Sequence, residues 1–325
     1  MSAPLWEGRP PTIGMIRPRP MSVAMHTLED PIHPPLLDAY RAVAEQVRQF
    51  DKDRWLAGLY APEDRRDHLY ALYAFSGEIG RIREVVSDPL PGEIRARWWA
   101  DMIAGDRGSE GESHPVAAAL TDTMRRFELP AADLVRLIDA RIFDLYDDPM
   151  PDFETLEAYC DDTSVAIIRL AARVLADGRD PHVDAVARHA GRAYGLTMIL
   201  RGLPAQAARG QVFLPLDLLA RHGLGRDDVL SGRATPALTA ALGEVRAHAR
   251  DELLATRRLI HDIPPEVTAA FLPVSLVDMC LTRMERPNHD PYRMPVETPQ
   301  WRRQLRLWRA ARRARKAAKR FWHQV

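Results

Sequence analysis

Residues 53–84 read DRWLAGLYAPEDRRDHLYALYAFSGEIGRIRE, and their spacing decides the fold class. After Pro62 the run opens with two acids, Glu63 and Asp64, where a helix N-terminus favours negative charge. Leu69, Leu72, Phe75, Ile79, Ile82 and Val86 then recur every three or four residues, the stripe a helix turns toward a core. The pattern predicts one long helix from about 62. It should stop at the pair Asp88 and Pro89, because the residue before a proline avoids helical backbone.

Working outward, Leu36, Tyr40, Val43, Val47 and Phe50 carry the same spacing and predict a helix upstream. Further helices are expected at about 91–104, 115–127, 131–146, 152–177, 182–203, 236–262, 265–285 and 299–322. Clusters of Pro, Gly and Asp separate them. Residues 204–235 form the longest irregular stretch, and 287–291 form a loop between two prolines. No β-branched alternation is long enough for a strand, and no repeat or mid-chain linker divides the helices. The organisation expected is one all-α domain over 32–290, followed by a basic amphipathic tail over 291–325. Residues 1–31, rich in Pro and Met and without an apolar segment, are expected to be a disordered leader and not a secretory signal.

The bulk composition narrows the functional classes. The chain has 325 residues and a formal net charge of zero, so nothing global points to nucleic acid. The zero conceals an asymmetry: residues 301–325 hold ten Lys/Arg and no acid, which leaves residues 1–300 with 35 Lys/Arg against 45 Asp/Glu. Only three of the basic residues are Lys, a bias that says more about genome composition than about recognition. Two isolated cysteines, Cys160 and Cys280, make neither a disulfide framework nor a metal cluster, and a reducing compartment is the default. No window approaches 18 uninterrupted apolar residues, so no transmembrane helix is expected.

Three segments, in order, resemble the squalene/phytoene synthase family. The first is residues 53–84, with a leucine-plus-proline turn, an acidic-Arg-Arg helix start and Tyr73-Ala74-Phe75. The second is Tyr159-Cys160 leading into a helix of small and apolar residues. The third is YGLTMILRGLPAQAARGQVFLPLDLLARHGL, residues 194–224, similar to the family's second metal helix and its aromatic-Leu-Pro exit. The matches span roughly residues 35–285. The resemblance implies an isoprenoid-synthase-like helical bundle around a central cavity.

Enzymes of that family join two prenyl diphosphates head to head, and the leaving group carries about three negative charges. Mg²⁺ stabilises it, held by carboxylates from two aspartate-rich motifs on facing helices. Here the first motif falls on Gly80, Arg81 and Glu84, and only Glu84 keeps a carboxylate. Glu78 lies six positions earlier, on a different part of the helix, so Glu78 and Glu84 are the weak metal candidates. Arg81 and Arg83 place positive charge where a cation should sit. The second motif falls on Gly202 and Gln206, and between Asp184 and Asp217 there is no Asp or Glu at all. A Gly-Arg pair expected before the aromatic is Gly210-Gln211. No cofactor is therefore expected, with Mg²⁺ reserved for an enzymatic reading.

Arginines 81, 83, 192, 201 and 209 could ring a diphosphate by bidentate hydrogen bonds, although ordinary ion pairs are the simpler expectation. Tyr73, Arg81, Tyr194, Arg201 and Arg209 are the candidate substrate-binding residues. Asp161 and Asp162 read as a helix cap and first-turn acid. His68, His189 and His289 stand isolated in the sequence. In the tail, Trp301, Leu305, Trp308, Ala311, Ala318 and Trp322 share a helical stripe, with Phe321 beside it. Arg309 and the other basic residues cover the remainder. That composition fits an interfacial helix better than a solvated helix or an RNA-binding one. The expected partners are thus a membrane surface, a prenyl lipid or prenyl diphosphate, and no nucleic acid. Degraded metal motifs with such a tail resemble the branch of respiratory complex I assembly factors. That likeness implies a non-catalytic scaffold, cytoplasmic and peripherally associated with the inner membrane, with a respiratory-complex subunit as partner. The alternative is a divergent head-to-head prenyl diphosphate transferase.

Overall fold

A computed structural model describes residues 34–146 and 148–322; the leader expected at 1–31 lies outside them. Helix α1 (Pro34–Phe50) turns Tyr40, Val43 and Val47 inward. Helix α2 (Lys52–Gly58) starts from Asp51, whose carboxylate accepts the Arg54 backbone N–H at 3.0 Å, satisfying one orphan donor of the first turn. Helix α3 (Glu63–Gly80) is buried at every position from His68 to Ser76. A helix covered all round stands in the middle of a bundle, not on its surface.

The single helix expected to run from 62 to 86 is broken. Gly80 ends α3, and Arg81 takes φ −101°, ψ 0° before α4 (Ile82–Val85) restarts. Gly77 and Gly80 sit in the last turn, and each costs a helix interior roughly 1 kcal/mol relative to Ala. Helices α5 (Pro89–Ala104), α6 (Gly108–Ser113), α7 (Pro115–Arg126) and α8 (Ala131–Ile142) follow. α1 and α7 both pack on α3.

The helix expected over 152–177 is in three parts: α9 (Phe153–Cys160), a widened π turn at Asp161–Val165, and α10 (Ala166–Leu175). The π turn lies against α11 (Asp184–Ala208), where a Cβ on Gly191 would come within 2.5 Å of the Val165 Cα. Only glycine admits that approach. α11 continues past its expected end through Pro204, and the stretch expected to be irregular holds two short helices, α12 (Leu216–Arg221) and α13 (Arg226–Leu230).

Helix α14 (Pro236–Leu259) is capped by Thr235 and lies along α11. Next come α15 (Thr268–Phe271) and α16 (Val277–Met284), joined by 3-10 turns. The stretch Pro265–Met284 is apolar enough and long enough to cross a membrane, but two-thirds of it is buried inside the bundle. The last helix, α17 (Gln300–Trp322), docks Leu307 and Ala311 against Leu56, Ala57, Leu272 and Leu276. The Arg303 Nε, 2.7 Å from Asp53 Oδ1 in a nearly buried pair, fixes it to α2. The described residues contain no strand, as an all-α chain requires.

Candidate functional site

The helices that carry the expected motif positions, α3 with α4 and the second half of α11, are linked through Glu84 and Arg209. On α3, a Cβ at Gly80 would point at the Arg141 guanidinium, 3.7 Å away. Arg81 stacks on the Phe50 ring at 3.9 Å and reaches Glu84 Oε2 at 3.4 Å. Glu78 turns aside and accepts from Gln46 Nε2 at 2.6 Å. On α11, Gln206 folds back so that its Nε2 would lie 2.6 Å from a Cβ on Gly202. Arg209, at the end of α11, reaches across to Glu84 Oε1 at 3.8 Å and donates to Gln211 Oε1. Arg201 approaches Asp53 at 3.8 Å. The single motif carboxylate is therefore held between two guanidiniums.

Below Gly80 lies a buried triad that sequence reading missed. Arg141 Nη1 donates to Tyr159 at 2.7 Å and to Asp144 Oδ2 at 3.0 Å, while Tyr159 donates to Asp144 Oδ1 at 2.8 Å. Burial raises the Asp144 carboxyl, opposed by Arg141. Gln211, which takes the place of the expected arginine, is buried and donates to the Asp144 carbonyl at 2.8 Å. Tyr159 belongs to a segment already singled out, but nothing in the sequence ties it to Arg141, 18 residues upstream.

Tyr73 and Tyr194 do come together. The Arg54 guanidinium lies between them, 5.3 Å from each ring, with Asp51 Oδ2 at 3.3 Å. Burial raises both phenols. With Ile167, Ile168 and Val274 these three side chains enclose a space of only about 10 Å³, room for a single water.

Two sequence expectations need correction. Asp161 and Asp162 do not open a helix. They lie inside the π turn, and Arg192 grips Asp161 with Nε at 2.8 Å and Nη2 at 2.7 Å. A bidentate arginine is a stronger partner than a helix start would be. Nor is His189 isolated, because its Nδ1 lies 2.6 Å from Glu252 of α14. By contrast His68 is packed as expected, bonded through Nδ1 to Tyr40 and Thr123. Cys160 is buried, which pushes its thiol up to about 12.

Along α17 the stripe divides. Ala311 joins Leu307 and Arg303 on the docked side, whereas Trp301 and Trp308 stay 61% and 46% exposed, with Leu305 half-buried and Arg309 exposed. Arg302 and Arg312 stack on the two indoles. The side chains of Ala318, Phe321 and Trp322 lie outside the described residues.

The model of the squalene/phytoene synthase family matches residues 47–309. Complex I assembly factor 6 of Rattus norvegicus is 28% identical over 257 residues, covering 79% of this chain and 77% of the relative. The presqualene diphosphate synthase of Zymomonas mobilis is 32% identical over 208 residues, covering 62% of this chain and 69% of that one. A squalene synthase from Alicyclobacillus acidocaldarius superposes with a TM-score of 0.67 at 20% identity, covering 78% of this chain and 96% of its own. The chain belongs to the squalene/phytoene synthase family.

Proposed function

We propose that this protein is a non-catalytic member of its family, a membrane-associated assembly or scaffold factor of the respiratory complex I type. It is cytoplasmic and works peripherally at the inner membrane. One observation carries the reading: the wall that should supply the second set of metal ligands has Gly202 and Gln206 at the motif positions and no acid from 185 to 216. Across the gap, Glu84 is paired with Arg81 and Arg209. A guanidinium already occupying a carboxylate competes directly with a divalent cation for it. The likeness to complex I assembly factors over three-quarters of the chain supports the same reading. A prenyl lipid in the old cavity would need Arg54, Tyr73 and Tyr194 to move, because a ligand of that size takes roughly 300 Å³ or more.

The second reading, a divergent prenyl diphosphate transferase, is favoured by one observation. The chain is 32% identical to a presqualene diphosphate synthase. In that case Mg²⁺ would have to be held by Glu84 and the diphosphate by Arg81, Arg201 and Arg209. Incubation with farnesyl or geranylgeranyl diphosphate and Mg²⁺ separates the two. The scaffold reading expects no release of diphosphate and no C30 or C40 product, and turnover of either substrate overturns it.

A further inference from the structure

We infer that α9 and α14, backed by α11, hold a site for a first-row divalent transition-metal ion, separate from the family's diphosphate gap. Its ligands are His248 Nε2, Glu157 Oε1 and Glu252 Oε1. One ligand atom from each of these residues lies within 4.8 Å of those of the other two. His248 and Glu252 are four apart on α14 and so share a face. Glu157 comes from α9, one turn before the π bulge that presses on α11.

The three side chains are largely withdrawn from solvent, His248 33%, Glu157 23% and Glu252 10% exposed. His248 Nε2 is buried and makes no hydrogen bond of acceptable geometry, although Glu157 Oε1 is 2.6 Å away and Glu252 Oε1 is 3.9 Å away. Ligand atoms around a bound zinc stand roughly 3–3.5 Å apart, and these two distances bracket that range. The Phe153 ring meets the imidazole edge-on at 4.9 Å and fixes its plane.

Each carboxylate has its far oxygen already engaged. Arg192 Nη1 holds Glu157 Oε2 at 2.5 Å, and His189 Nδ1 holds Glu252 Oε2 at 2.6 Å. Glu157 Oε1 is left facing His248, and Glu252 Oε1 lies between His248 at 3.9 Å and Arg192 Nη1 at 4.0 Å. Outer partners of this kind orient metal ligands and set their basicity.

Charge points the same way. Glu157, Glu252 and Asp161 meet a single arginine, Arg192. Three carboxylates thus face one guanidinium, an excess of negative charge that a divalent ion would balance. An imidazole nitrogen in the set selects zinc over magnesium and manganese, which prefer oxygen ligands.

The test uses the full-length chain without an affinity tag, stripped with EDTA, re-equilibrated with Zn²⁺, Mn²⁺ or Mg²⁺ and desalted. Elemental analysis should find about one zinc per chain, with an unfolding midpoint that rises with Zn²⁺ and not with Mg²⁺. His248→Gln and Glu252→Gln should lose the zinc while keeping the helical circular dichroism of the parent. His189→Ala, which removes a positioning residue only, should weaken binding about 10- to 100-fold. Glu84→Gln, in the diphosphate gap, should bind zinc as the parent does. Failure of the parent chain to retain zinc, equal retention by His248→Gln, or loss through Glu84→Gln overturns the proposal.

Discussion

Replacing both exposed indoles of the last helix, Trp301→Ala with Trp308→Ala, should release the protein from anionic membranes while leaving its fold intact. The two are 61% and 46% exposed and lie seven residues, two turns, apart on α17. A tryptophan offers up to about 250 Å², so about 150 and 115 Å² remain available to a bilayer interface. At about 25 cal/mol per Å², full coverage is worth about 3–4 kcal/mol for each ring. An interfacial helix sinks only partway, and half of that, about 3–4 kcal/mol for the pair, is a reasonable expectation. The partition coefficient should fall roughly 140- to 700-fold, since each 1.4 kcal/mol is tenfold. The assay is co-sedimentation with vesicles of mixed neutral and anionic lipid, read against lipid concentration. Leu307→Ala is the informative contrast, because Leu307 is buried against the bundle. It should lower stability by about 2–5 kcal/mol and affect partitioning only through unfolding. If the double tryptophan variant sediments as the parent does, the outward face of α17 is not a membrane surface.

Three further expectations follow from the packing. His68 is held at about 4 by burial, below its ordinary 6.5, so the unfolded chain binds its proton first as pH falls. Its contribution is complete above pH 6.5 and is lost as pH drops from 6.5 through 4, about 3 kcal/mol in all. His68→Gln should flatten that part of the urea-stability profile, and an unchanged slope would refute the assignment. Arg303→Ala leaves the nearly buried Asp53 with Arg201 alone, at 3.8 Å, and should cost about 2–3 kcal/mol, less than the roughly 3–5 of a fully unpaired buried charge, read as a lower urea midpoint; a neutral result would mean that α17 is not fixed there. Gly191→Val drives a side chain into the backbone of the π turn and should abolish or severely reduce soluble expression. Wild-type yield and stability would show that α11 and the bulge are not in contact.

Most of the helical plan was legible because its evidence is local. The stripe Tyr40, Val43 and Val47, the acids after Pro62 and the proline at 89 each act within a turn or two of themselves. Where the reading failed, the deciding partner was remote. The π turn at Asp161–Val165 answers to a neighbouring helix, and Gly191 permits it only because α9 and α10 bring Val165 to it. The site behaved likewise. The Gly and Gln at the expected acid positions could be read one by one, but the Arg141–Asp144–Tyr159 triad and the meeting of Glu157 with His248 span 18 and 91 residues. The one available signal, His248 and Glu252 four apart, is too common along helices to stand alone.

Under the proposed non-catalytic reading, arginine bridges take the place of ions in holding the family's shape. In a metal-dependent relative two sets of carboxylates face each other, and their repulsion is relieved when cations bridge them. Here the bridges are covalently part of the chain: Arg209 joins the end of α11 to Glu84 on α4, and Arg201 joins α11 to Asp53 on α2. Asp53 in turn receives Arg303 from the last helix, so the pairing that closes the gap also seats the helix that carries the exposed tryptophans. Stability should therefore be indifferent to Mg²⁺ over the millimolar range, measured as an unchanged unfolding midpoint. A rise with Mg²⁺ that Glu84→Gln abolishes would mean that the gap still binds the ion and that the enzymatic reading has to be reopened. Indifference, with loss of stability when Arg201 and Arg209 are both replaced by Gln, would place the guanidiniums in the structural role the cations once had.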